Sequence, residues 1–236
     1  MRSIGILVVA VLALVAVQGV ASADGIDLSA GDRIRLYNGT GNGSGGEFDA
    51  VVQAWDATSS SYVAATPSVA WSTFCLEADE YFTPGDLLRV TGVTDSALNG
   101  GTNTDLGDPI SRETAWLYTQ FWNGTLTGLN DAGTAASGTY LGDHADNATH
   151  LQNAFWYLEG ESTGVDNHYV TLATAGAAGW TDIGNVRVMN LQRYSDGQWI
   201  NAQDQLIMTP VPEPASLALF GLGAGVIALR RRKRKL

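Results

Sequence analysis

Cys75 is the only cysteine of the 236 residues, and it stands in Trp71-Ser72-Thr73-Phe74-Cys75-Leu76-Glu77. A thiol becomes a nucleophile when a base or a lowered pKa frees its proton. His144, His150 and His168 could supply the base of a cysteine protease, but no protease signature surrounds Cys75. With apolar neighbours on a strand, a small buried hydrophobe is the plainer reading. A single cysteine is unusual for an exported protein, where cysteines normally pair. The carboxylates offer less. Asp79, Glu80, Asp86, Asp105, Asp108, Asp143 and Asp146 carry oxygen ligands for calcium, yet no EF-hand or repeat spacing orders them, and they read as solvated loop acids. His144 and His150, spaced i, i+6 with Asp143 and Asp146 nearby, do not share a helix face. Glu159 and Glu161 flank Gly160 as the solvated end of a helix rather than as a glycosidase pair. These residues imply no metal, no cofactor and no turnover enzyme; a secreted hydrolase would need a nucleophile and base that nothing here singles out.

Clusters of Gly, Thr, Ser, Asn and Asp separate short apolar runs, which favours strands over residues 32–37, 47–55, 71–77, 87–93, 186–194 and 198–201. The stretch 38–46 holds five glycines in nine residues but lacks the Gly-Lys-Ser/Thr ending of a phosphate loop, so it reads as a hairpin connection. Two segments have helical spacing. Asp108 or Ser111 can cap one whose stripe is Leu117, Tyr118, Phe121 and Trp122, ended by Asn123-Gly124. The other runs from an Asp146 or Asn147 cap to Glu159, with Leu151, Ala154, Phe155 and Leu158 on one face and Gly160 as its stop. The expected fold is α+β, a strand-dominated single domain with two short amphipathic helices and no internal repeat.

Both ends of the chain carry addresses. Residues 1–23 have a basic Arg2, an apolar run over 4–17 and a small-x-small site at Ala21-Ser22-Ala23, the layout of a secretory signal peptide. At the other end, Pro210, Pro212 and Pro214 favour an extended, accessible backbone. An uncharged run over 215–229 follows, about 22 Å long as a helix against roughly 30 Å of bilayer hydrocarbon, short for a permanent transmembrane anchor. Arg230, Arg231, Arg232, Lys233, Arg234 and Lys235 hold that end in the cytoplasm. Val211-Pro212-Glu213-Pro214, the apolar run and the basic terminus together resemble the PEP-CTERM sorting signal of bacteria that make extracellular polysaccharide. The resemblance implies recognition by an exosortase, a membrane-embedded processing enzyme, with the protein transiently anchored by one C-terminal helix and then released to the cell surface or beyond. Between the two addresses, residues 24–209 carry six arginines, no lysine and 23 acidic residues, a net charge of −17. So acidic a body argues against nucleic acid and anionic membranes as partners.

A second resemblance concerns this body. Phe74-Cys75-Leu76-Glu77 with Leu151-Gln152-Asn153-Ala154-Phe155-Trp156 resembles the motif pair of bacterial surface thioester domains, aromatic-Cys-apolar-acid on a strand and apolar-Gln-x-x-apolar-Trp on a helix. The resemblance implies that Cys75 is the thiol and Gln152 the acyl donor, with Phe155 and Trp156 packed around the bond; Gln120, in Tyr118-Thr119-Gln120-Phe121-Trp122, is the rival donor. Such a bond needs water kept out, tethers strand to helix, and can capture an amine on another surface as an amide. A body without lysine cannot cross-link its own copies through that side chain. The expectation is an exported cell-surface or matrix protein with a Cys75–Gln152 thioester for covalent adhesion to an amine-bearing partner. The alternative is a non-reactive structural, glycan- or ice-binding β-rich module with an inert Cys75; the flat Thr-rich repeats of ice binding are absent.

Overall fold

Alternation of apolar and polar side chains builds the first strands of the protein. In β1 (Arg33–Asn38), Ile34 and Leu36 are buried while Arg33, Arg35 and Tyr37 face outward. The computed structural model of the chain describes residues 25–41, 45–98, 107–129, 136–162 and 167–211. The expected signal peptide, transmembrane run and basic tail lie outside the described residues, as do Pro212, Glu213 and Pro214. Among the described residues no helix is long and apolar enough to cross a membrane.

β1 pairs antiparallel with β2 (Phe48–Asp56) and with β5 (Leu87–Thr94). The last residues of β2 turn back into β3 (Ser61–Ala64), and its first residues pair with β4 (Ala70–Thr73). β5 continues to β10 (Val186–Ser195), which forms a long hairpin with β11 (Gln198–Met208). The order is therefore β11-β10-β5-β1-β2-β3, with β4 also on β2. Beyond β4 the chain runs on beside β11: Leu206 N donates to Phe74 O at 3.0 Å, Leu76 N to Asp204 O at 3.2 Å, and Cys75 lies opposite Gln205. That last pairing returns the path to β11, so β11, β10, β5, β1, β2 and β4 close on themselves as an antiparallel barrel. Closure removes the open edges of those six strands and leaves β3 as an edge on β2. Two short pairs decorate it, β6 (Ser96–Ala97) with β7 (Asp108–Pro109) and β8 (Thr127–Leu129) with β9 (Ala136–Thr139).

Among the described residues three α-helices pack on one side, one more than the two amphipathic helices expected of the body. α1 (Arg112–Trp122) begins at Ser111, whose hydroxyl accepts from Thr114 N at 3.1 Å. α2 (His144–Leu158) starts ahead of the expected cap, following a 3-10 turn over Tyr140–Asp143. Asn147 bridges instead of capping: it accepts from Leu129 N at 2.7 Å and donates to Tyr140 O at 2.8 Å. α3 (His168–Gly176), capped by Asn167, escapes a reading based on amphipathic stripes because most of its residues are small or apolar on every side. Two apolar clusters follow from this layout. Ile34, Leu36, Leu88, Val90, Met189 and Leu191 fill the barrel; Phe74, Leu117, Tyr118, Leu151, Phe155 and Leu206 join the barrel wall to the helices.

Candidate functional site

Closure of the barrel puts Cys75 where strand, helix and loop meet. The segment 74–76 uses Phe74 O and Leu76 N to pair with β11, which leaves the N–H and C=O of Cys75 pointing the other way. Gln152 on α2 meets them. Its Oε1 accepts from Cys75 N at 3.0 Å and its Nε2 donates to Cys75 O at 2.8 Å, so the side-chain amide stands in for a neighbouring strand. The resemblance to thioester domains pairs Cys75 with Gln152, and the two residues do meet, through the backbone of Cys75 and not its thiol.

Two glutamines of β11 surround the thiol. Cys75 Sγ lies 2.9 Å from Gln203 Oε1, in the sense of an S–H donating to the carbonyl. Gln205, directly opposite Cys75, donates from Nε2 to Sγ at 3.3 Å. Gln203 is the diagonal neighbour two residues along, within reach because its side chain is long. Its Nε2 donates to Glu77 O, so the carboxamide of Gln203 is gripped between Cys75 and Glu77. Sequence reasoning missed both glutamines. A strand read by apolar alternation ends at 201, whereas β11 runs to Met208 with Gln203, Asp204 and Gln205 all buried. The signal that finds them is the apolar Leu206-Ile207-Met208 after the polar run, which carries the strand through it.

Burial keeps the thiol and its neighbour Glu77 uncharged. Burial pushes the Cys75 thiol well above its ordinary value, more than Gln205's hydrogen bond lowers it. Glu77 is pushed up to about 10, first by burial and then by the nearby charge of Asp204, which leaves it protonated at neutral pH. Asp204 accepts from Leu98 N at 3.0 Å, Asn190 Nδ2 at 2.8 Å and Leu191 N at 2.8 Å. Glu80, half-buried nearby, is raised to about 7 by the same causes.

The surroundings divide into a dry side and an open side. Phe74 packs on Phe121 and Phe155 with ring centroids 5.0 and 5.2 Å apart, and Phe155 in turn meets Tyr118. Trp156 takes a different neighbour, the glycine-rich turn. A Cβ on Gly45 would stand 2.8 Å from Gln152 Cγ and 3.0 Å from Trp156 Cη2, so only glycine lets the turn settle there. Gly46, at φ 147°, holds a conformation that other residues rarely adopt. This turn is the hairpin connection expected between β1 and β2, and its described residues also form one wall of a cavity of about 340 Å³ that reaches Gln203, with Glu47, Tyr81, Phe82 and Pro84 on its other walls. Gln205 does not line it. Behind the turn, Glu47 Oε1 accepts from Tyr140 OH at 2.7 Å and bonds His144 Nε2 at 2.7 Å.

The remaining candidates lie elsewhere. Gln120 sits half-exposed on α1 and accepts from Thr125 Oγ1 at 2.7 Å. None of the three histidines contacts Cys75 among the described residues; His144 is engaged with Glu47. Among those residues no group of three or more His, Cys, Asp or Glu could hold a metal ion, and Asp105 lies outside them. Glu159 is not a solvated helix end: its carboxylate accepts from Ser111 Oγ at 2.7 Å and from Ser111 N at 3.2 Å, tying α2 to the start of α1. Glu161 reaches Ala78 N at 3.4 Å.

Comparison with known proteins supplies the address and leaves the body to its geometry. Residues 210–233 match the PEP-CTERM protein-sorting motif. The chain thus carries the sorting signal of exported proteins that an exosortase processes, its C-terminus held at the membrane before processing and the body bound for the cell surface. No curated protein and no solved structure matches the chain.

Proposed function

We propose that the exported body is a self-acylating surface domain, in which the Cys75 thiol attacks the carboxamide carbon of Gln203. The C–N bond breaks, ammonia leaves with the thiol's proton, and a Cys75–Gln203 thioester remains. A primary amine on a partner molecule then attacks the same carbon, forming an amide to Gln203 and returning the free thiol. The observation that carries this reading is the 2.9 Å hydrogen bond of Cys75 Sγ to Oε1 of the Gln203 carboxamide, which sets the thiol beside the group it would attack. Three features support it. The thiol is 2 % exposed, which shelters an acyl bond from water. The cavity at the glycine-rich turn opens onto Gln203 and gives ammonia a way out and an amine a way in. Gln152 fixes the backbone of the nucleophile, holding reacting groups in register. Gln203 thereby replaces Gln152 as acyl donor.

The test is the intact mass of the folded chain beside that of its Cys75→Ala variant. The wild type is expected to be one ammonia lighter than its sequence mass and the variant is not. A wild type of full mass with a thiol that titrates on unfolding would end the proposal.

A second reading, a glycan-binding matrix module, draws on a separate observation. Trp55 and Tyr62 pack edge to face on the outer barrel surface, as do Tyr194 and Trp199, with the Arg33 and Arg89 guanidinium groups 5.0 and 4.4 Å from the Trp199 ring. Trp55 and Tyr194 are more than half exposed, and exposed aromatic rows are a common platform for partners. Retention on polysaccharide that survives Cys75→Ala and is lost on Trp55→Ala with Tyr194→Ala would favour it.

A further inference from the structure

A neutral, buried thiol is a poor nucleophile and an amide is a poor electrophile, so formation of the acyl bond needs a group that moves a proton from one to the other. Resting on the thioester reading above, we infer that Glu77 is that group, the proton relay of the self-acylation. Its placement is the argument. The backbone carbonyl of Glu77 accepts from Gln203 Nε2, the nitrogen that must leave, and Glu77 Oε2 accepts from Asp204 N at 3.1 Å, one residue along from the reacting carboxamide. Its other oxygen, Oε1, is buried and has no hydrogen-bond partner among the described residues. An orphaned carboxyl oxygen in a residue 1 % exposed is costly, and nothing in the fold's own bonding accounts for it.

Asp204 makes the division of labour possible. With three donors directed at its oxygens it is held as the charged carboxylate, and that charge, together with burial, keeps Glu77 an acid. A protonated carboxyl is bifunctional. Its carbonyl oxygen takes the thiol proton as sulfur bonds to the Gln203 carbon, while its hydroxyl gives a proton to the departing nitrogen. The S–C bond forms, the C–N bond breaks, ammonia leaves, and Glu77 ends with one proton, as it began. No outside reagent enters the balance.

The chain recovered denatured and reduced, never having folded, is refolded, and the fraction one ammonia lighter is followed by intact mass for wild type, Glu77→Gln and Glu77→Asp. Glutamine can accept from Asp204 N as the acid does but cannot exchange protons in this way. Glu77→Gln is expected to fold with a cooperative melt and to lose ammonia at least about 100-fold more slowly, the low end of general acid–base contributions. Glu77→Asp keeps the acid on a shorter stem and is expected to recover part of the rate. Ammonia loss by Glu77→Gln at the wild-type rate would overturn the inference. Should Glu77→Gln fail to fold, Glu77→Asp decides: a rate more than about tenfold below wild type is expected, and an unchanged rate overturns it. Failure of the thioester reading looks different, because then the wild type itself keeps its full mass.

Discussion

Replacing Gln152 by alanine should unfold the seam between barrel and helices well before it touches the rest of the molecule. The side chain is fully buried and its amide makes both hydrogen bonds of the Cys75 backbone, at 3.0 and 2.8 Å. Truncation removes two bonds and leaves a buried N–H and a buried C=O without partners, each costing about 1–3 kcal/mol. Removing the stem as well opens a void between Cys75 and the glycine-rich turn. The expected loss is about 3–5 kcal/mol, at the lower end if water enters from the cavity beside Gly45. At about 2–4 °C per kcal/mol for a body of this size, the melting temperature should fall by roughly 10 °C. Thermal melts by circular dichroism measure it, with Gln120→Ala as the control. Gln120 is half-exposed and accepts one bond from Thr125, so its loss should stay within about 0.5 kcal/mol. A Gln152→Ala chain destabilised by less than about 1 kcal/mol, or no more than the control, would refute the view that its amide substitutes for a strand.

Other consequences follow from the same geometry. Glu77 and Glu80, at about 10 and 7 against an ordinary 4.5, hold protons in the folded state that the unfolded chain has released. Their contribution to stability should therefore be fully present below about pH 4.5 and fall away as pH rises toward about 7 for Glu80 and about 10 for Glu77; melts at pH 5 and 8 check the sign, and a higher melting temperature at pH 8 would contradict it. Glu77→Gln should flatten most of that slope. Gly45→Leu forces a side chain into Gln152 and Trp156 and should lower stability by about 1–3 kcal/mol, read by denaturant titration; no change would mean the turn does not rest on α2. Ser111→Ala removes both the cap of α1 and the anchor of Glu159, and should cost about 1–2 kcal/mol by the same method, with a neutral result denying the cross-brace.

Much of the frame can be read from residue order. The β1–β2 hairpin and the helix bearing Gln152 follow from periodicity, although that helix starts ahead of its expected cap; the strand expected over 71–77 ends at Thr73, and Gln152 meets Cys75 through its backbone. What escapes is chemistry hidden in satisfied polar burial. Apolar alternation reports a face buried by hydrophobes, but β11 buries Gln203, Asp204 and Gln205 because Cys75, Glu77 and Asn190 supply their partners, and those partners come from the segment after β4 and from β10. The closing of the barrel is equally non-local. It depends on Phe74–Leu76 leaving β2 for β11, which no window of neighbouring residues records. Likewise the glycines of 38–46 signal a turn, but not that the turn lies on Trp156 and lines an opening to Gln203.

On the proposed reading Gln203 is the acyl donor for Cys75. Treating the folded chain with methylamine and locating the added methyl group by peptide fragmentation decides it. A methylamide on Gln203, absent from Cys75→Ala and from chain unfolded with its thiol blocked, is the expected result. A methylamide on Gln152 or Gln205, or none on any glutamine, would contradict it.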